Sequence, residues 1–222
     1  MTPPAPNSPS RSGRSSTIWL IGLAVVLLAG LVAVLATRDS NDKGDDSTAQ
    51  SSTTAPDCTI DGPLPEFKDS NNDAAVCRTI PTAKGTSLEG QPMTIGAADG
   101  KAKVIIFVAH WCPHCQREVP MIVDHLKDTP MPSDVELLTV STAVKPEAGN
   151  YPPKAWLDNA GWTAPVLDDT DGSAAIAYGL TSFPYFVVVD ADGKVVVRGS
   201  GELSMDQFDQ MVAAAQTGKS PV

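Results

Sequence analysis

The sequence predicts an α/β fold, a central mixed β-sheet of about four or five strands flanked by helices, and three observations predict it. Apolar, largely β-branched runs at Val104–Ala109, Val135–Val140 and Tyr185–Asp190 read as buried strands. Between the first two, Val119, Ile122, Val123 and Leu126 fall at i, i+3, i+4 and i+7, one apolar face of a helix that Pro130 ends. A second, shorter helix is expected over Tyr151–Asn159, with Pro152 and Pro153 in its first turn where missing N–H groups cost little. Strand, helix, strand and helix in that order make a βαβ unit.

The elements are justified in chain order from the N-terminus. Residues 1–17 are Pro- and Ser-rich with Arg11 and Arg14 as the only charged side chains, too poor in apolar surface to fold, and are expected as a disordered cytoplasmic tail. Residues 18–36 carry no charge and at 1.5 Å per residue reach about 28 Å, roughly the hydrocarbon thickness of a bilayer. They predict a single transmembrane anchor. Arg11 and Arg14 precede it while Asp39, Asp42, Asp45 and Asp46 follow, so the N-terminus is expected inside and the rest outside the cytoplasm. The competing reading is a cleaved secretory signal ending at Val34-Leu35-Ala36; the length of the apolar run favours a retained anchor, and both readings export the remainder. Residues 37–57, rich in Ser, Thr, Asp, Asn and Gly, read as a flexible acidic tether.

Residues 58–86 form an extension without clear periodicity, bracketed by Cys58 and Cys77. A structural disulfide closing a loop of this size stabilises by roughly 3 kcal/mol in the chain-entropy model. The alternative, a second redox pair relaying electrons, has no support in the spacing. The main folded domain is expected over residues 87–218. It opens with a weak strand, Leu88–Ile95, and a turn at Ala98–Lys101. After the second strand come Val166-Leu167, an Asp-rich turn at Asp168–Gly172, and a short Ala-rich helix ending near Tyr178-Gly179 with Gly179 as its left-handed cap. Tyr185–Asp190 and Lys194–Arg198 flank an Asp192-Gly193 turn as a hairpin. Ser204-Met205-Asp206-Gln207 opens the last helix as a capping box, with Phe208, Met211, Val212 and Ala215 on its apolar face.

Length and charge narrow the function. At 222 residues with 19 prolines and 17 glycines, the chain has room for one ordinary domain plus tails. A net charge of -10 without any run of Lys or Arg excludes a nucleic-acid surface and makes a monomer the default. The chemistry is concentrated in Trp111-Cys112-Pro113-His114-Cys115, where the first strand delivers two cysteines to a helix start. Two intervening residues bring the sulfurs within bonding reach, and the unpaired N–H groups and dipole of the helix favour a thiolate at Cys112. Cys112 is then the residue that forms the mixed disulfide, and Cys115, one turn inside, resolves it. No cofactor or metal is required. A zinc site lacks two further ligands; a copper site built from His110, Cys112, His114 and Cys115 is the competing class, a copper-binding chaperone, weakened because His114 points around the helix. His125, mid-helix, is given no role.

WCPHC, then Glu118-x-Pro120, Tyr178–Pro184 and the Asp190–Lys194 hairpin together resemble the membrane-anchored thioredoxin-like proteins of the TlpA/ResA type, over about residues 87–215. The resemblance implies a thioredoxin-like fold, a cis peptide before Pro184 facing the dithiol, and thiol-disulfide exchange with exported proteins, recycled by a membrane redox partner. Trp111, Pro113, His114, Glu118 and Pro184 support Cys112 and Cys115 in that scheme. Glu118 matches a functional acid near the dithiol, able to tune a thiol or carry a proton, although the helix dipole alone also favours a Glu early in a helix. Pro120 matches the fold's helix-kinking proline. Ile106 stands where thioredoxins carry a buried Asp, so that proton route is absent. His114 before the resolving cysteine resembles the C-P-H-C of the oxidising DsbA proteins, and each pKa unit by which the thiolate is stabilised moves the potential about 30 mV toward oxidising. Oxidation is therefore expected slightly ahead of reduction, including reduction of apocytochrome thiols for haem attachment.

Overall fold

The computed structural model describes residues 58, 61–96 and 99–221. The expected tail, the anchor over 18–36 and nearly all of the tether lie outside the described residues, among which no helix is long and apolar enough to cross a membrane. In order, the elements are β1 Ala83–Ser87, β2 Pro92–Ile95, β3 Ala102–Val108, α1 Pro113–Asp128, β4 Val135–Thr142, α2 Pro153–Ala160, β5 Val166–Asp169, α3 Ser173–Ala177, β6 Tyr185–Val189, β7 Val195–Ser200 and α4 Met205–Thr217.

Seven strands form one mixed sheet in the order β2-β1-β5-β4-β3-β6-β7. β3, β4 and β5 run parallel, whereas β6 is antiparallel to β3. The expectation of four or five strands is corrected to seven. β1 carries no readable signal because most of its side chains face solvent, and it belongs to the sheet although its residues fall mostly in the extension. Leu88–Ile95 is not one strand: Ser87–Gly90 make a tight turn with Gly90 at φ 77°, and only Pro92–Ile95 extends.

β3 is buried along its whole length because both faces are covered, which explains its unbroken apolar run. Val104, Ile106 and Val108 face α1, α2 and α4 through Val119, Ile122, Trp156, Leu157, Phe208 and Val212. Ile105 and Phe107 face the other way, onto Tyr178, Ala174 and the extension residues Leu64, Phe67 and Ile80. The Ser204/Gln207 capping box opens α4.

The extension is tied to this second face. Cys58 and Cys77 are joined, and from Cys77 the chain runs along the outer edge of β7, with Cys77 N–H donating to Val195 O at 2.8 Å and Val195 N–H to Arg78 O at 2.9 Å. Asp73 forms a buried ion pair with Arg198, whose Nη1 also donates to Pro65 O at 2.9 Å and to the Tyr185 hydroxyl at 2.9 Å. Each of the three nitrogens of this buried guanidinium meets an oxygen, which offsets the desolvation cost of a buried charge. Gly179, at φ 71°, sits so close to this segment that a Cβ there would meet Pro65 O at 2.2 Å. The glycine expected as a helix cap is also a packing requirement.

Candidate active site

The parallel strands end together, and the residues beyond their carboxyl ends converge. β3 runs out through His110 and Trp111 into α1, whose N-cap is Cys112 in an extended conformation with Pro113 as the first helical residue. No side chain caps α1 and no acid lies in its first turn. The positive end of the helix is thus left for the Cys112 sulfur alone. Cys112 is 6% exposed and Cys115 fully buried, their side chains within hydrogen-bond reach of each other. Both are reduced. Burial pushes the Cys115 thiol far up, only partly countered by a hydrogen bond with the Ala109 backbone, and the nearby Glu118 charge adds to the rise.

Because β6 is antiparallel to β3 with Tyr185 opposite Phe107, Pro184 arrives at the same end of the sheet. The Phe183–Pro184 peptide is cis, and Phe183 meets Trp111 edge-on at 6.0 Å between ring centroids. The indole of Trp111 donates to Ala143 O at 2.7 Å while Lys145 Nζ lies 3.8 Å from its ring centroid. Tyr151, half exposed, adds to the aromatic rim through an edge contact with His110, next to a second cis bond at Tyr151–Pro152 that the sequence reading missed.

His110 is a buried tether rather than a ligand. Nδ1 lies 2.8 Å from Gly149 O and Nε2 accepts from Lys145 N–H at 3.1 Å, so the neutral Nδ1–H tautomer satisfies both nitrogens. The donor set of the copper alternative therefore does not converge, and among the described residues no group of three or more His, Cys, Asp and Glu side chains is placed to hold a metal ion. His125, assigned no role, bridges α1 to α4 through Nε2 at 2.7 Å from Asp209.

His114 is exposed, its Nδ1 2.5 Å from Glu202 Oε1. Arg117 Nε donates to both oxygens of the same carboxylate at 3.1 and 3.2 Å, and its Nη2 reaches both Glu202 and His114. Arg117, and after it His114, hold the Glu202 carboxyl down at about 2. Neither Glu202 nor Arg117 was singled out from sequence, since a loop Glu and a helical Arg 85 residues apart carry no local signal.

Glu118 is 1% exposed, beyond the first turn, where the helix dipole does not account for it. Among the described residues its carboxylate accepts only the Leu203 backbone N–H, at 3.2 and 3.1 Å. Burial raises its pKa to about 7, against the lowering effect of that hydrogen bond, and the charge of Glu202 contributes to the rise. A buried acid titrating near neutrality beside a buried thiol is an arrangement suited to proton transfer. Beside the dithiol, Phe67, Lys68, His114, Thr181, Phe183 and Glu202 line an open cleft of about 500 Å³.

Comparison with known proteins agrees with this geometry. Residues 50–215 match the Redoxin family. The thiol-disulfide oxidoreductase ResA of Bacillus thuringiensis subsp. konkukian is 26% identical over 125 residues, 56% of this chain and 69% of that protein. The soluble secreted antigen MPT53 of Mycobacterium bovis is 28% identical over 131 residues, covering 58% and 72%. Among solved structures, a secreted Mycobacterium tuberculosis disulfide oxidoreductase homologous to E. coli DsbE gives a TM-score of 0.50 at 25% identity, over 60% of this chain and 95% of that chain. MTB DsbF, in mixed oxidised and reduced forms, gives 0.50 at 27%, over 62% and 100%. The fold is thioredoxin-like, a central mixed sheet flanked by helices.

Proposed function

The chain belongs to the Redoxin family and is a thioredoxin-like thiol-disulfide oxidoreductase, and from that premise we propose that it exchanges disulfides with exported proteins through Cys112 and Cys115, in the oxidising direction. One observation carries the reading: Cys112 alone meets solvent, at an uncapped helix N-terminus, while Cys115 is sealed behind it.

In the oxidising half-reaction a substrate thiolate attacks Cys112 Sγ, the Cys112–Cys115 bond breaks, and its electron pair leaves on Cys115. Cys115, whose thiol is pushed up by burial, leaves as a thiol, and Glu118 is the acid at hand to protonate it. A second substrate thiolate attacks the substrate sulfur of the mixed disulfide and releases Cys112 as thiolate, favoured by the helix end. Two electrons pass from the substrate dithiol to the enzyme, and the substrate leaves as a disulfide. Pro184 and Phe183, with Trp111 and Tyr151, form the wall and aromatic rim against which the substrate chain docks.

The relatives bearing the names ResA and secreted antigen MPT53 support an extracytoplasmic catalytic domain. With residues 18–36 as anchor, the protein works as a single-pass membrane monomer recycled by a membrane redox partner. The test is a titration of the Cys112–Cys115 pair against glutathione buffers. A potential well above the approximately -270 mV of thioredoxin is expected, and one near or below it overturns the oxidising direction. The reductive reading, with apocytochrome thiols as substrates, is favoured by one feature: the Glu202 carboxylate lies against His114 and Arg117 and sets a negative charge beside the dithiol.

A further inference from the structure

The loop between β7 and α4, Gly201–Leu203, grips α1 at three points within little more than one helical turn. Glu202 meets His114 and Arg117, and the next residue, Leu203, gives its backbone N–H to Glu118. The imidazole of His114, the guanidinium of Arg117 and the buried acid are thus held from one loop that lies outside the cysteine motif.

We propose that Glu202 is a positioning residue that sets the redox potential of the dithiol: its carboxylate holds and neutralises the His114 and Arg117 side chains and so restrains their stabilisation of the Cys112 thiolate. This deepens the reading of Cys112 and Cys115 as an exchanging pair and rests on it. A lone cation acts on a neighbouring thiolate as a point charge, whereas a cation bound to a carboxylate acts as a dipole whose field falls off faster. Arg117 interacts electrostatically with Cys112 across the first turns of α1. His114 Nδ1 is shared between Arg117 and Glu202; neutral, it accepts from Arg117, and protonated, it donates to Glu202. In either state Glu202 is the negative pole of the cluster. Lys68, on the extension, is the further charged group lining the same cleft. The ion pairs are largely exposed and add little to stability, so the effect belongs in the potential and not in the melting temperature.

The experiment is the glutathione titration of full-length wild type, Glu202→Gln and Glu202→Asp, and of both Glu202→Gln and wild type in a His114→Ala/Arg117→Ala background. Glu202→Gln is expected to shift the equilibrium constant about three- to tenfold toward the reduced dithiol, a tenfold change being about 30 mV. Glu202→Asp should stay near wild type, and the shift should vanish in the background lacking both cations. An unchanged Glu202→Gln, or an equal shift without the cations, overturns the proposal. A wild-type pair that does not exchange with glutathione overturns the functional reading as well, whereas normal wild-type exchange with an unresponsive Glu202→Gln overturns only this one.

Discussion

Glu118→Gln separates a buried acid from a merely polar side chain through the pH dependence of stability. The Glu118 carboxyl rises from an ordinary 4.5 to about 7 on folding. A raised carboxyl costs the fold nothing below its unfolded value, because both states are protonated there. As pH climbs the unfolded chain ionises first, and the penalty grows until the folded carboxyl also ionises near 7. A rise of about 2.5 units at 1.36 kcal/mol each puts the full penalty at about 3 kcal/mol. Gln keeps an acceptor for Leu203 N–H but ionises nowhere, so it lacks this penalty. Its own unpaired amide N–H groups add a constant cost of about 1–3 kcal/mol that does not vary with pH. Urea unfolding of both proteins, dithiol reduced, from pH 4.5 to 7.5 is the assay. The stability of Glu118→Gln relative to wild type should climb by about 3 kcal/mol across that window. Parallel curves would sink the argument, and with it the assignment of Glu118 as the proton carrier for Cys115.

Complete burial of Cys115 and the small opening at Cys112, 6% exposed at the helix end, predict that iodoacetamide at neutral pH modifies Cys112 in the native reduced protein and spares Cys115, read by peptide mass; equal labelling refutes the division of roles. Asp73→Ala leaves Arg198 buried without its carboxylate and should cost about 3–5 kcal/mol in denaturant unfolding. A loss below about 1 kcal/mol would mean the pair is open to solvent.

The parts of the fold legible in the sequence are those where burial is continuous or periodic. Val104–Ala109 announces itself because both faces of β3 are covered, and the Ser204/Gln207 box marks α4 because capping is local chemistry. β1 was illegible for the opposite reason: its exposed, polar residues are ordered by pairing with β2 and β5, a long-range effect. In the site, the dithiol stands out because its spacing is its chemistry. Glu202 and Leu203 do not, since only the packing of α4's entry loop against α1 brings them to His114 and Glu118. Glu118 itself was visible as a residue, but its burial, which raises its pKa, was not.

The Cys58–Cys77 bond also decides how the domain carries mechanical load. Cys77 is fastened to Val195, at the end of β7 remote from the dithiol, while the middle of the segment reaches the cleft through Phe67 and Lys68. Tension entering the chain ahead of Cys58 passes through the sulfur bridge into Cys77 and the sheet. It bypasses the intervening residues, so the wall of the cleft stays unstressed. With the bridge cut, the same pull would run through Leu64 and Phe67 and peel that wall away before it reached the strands.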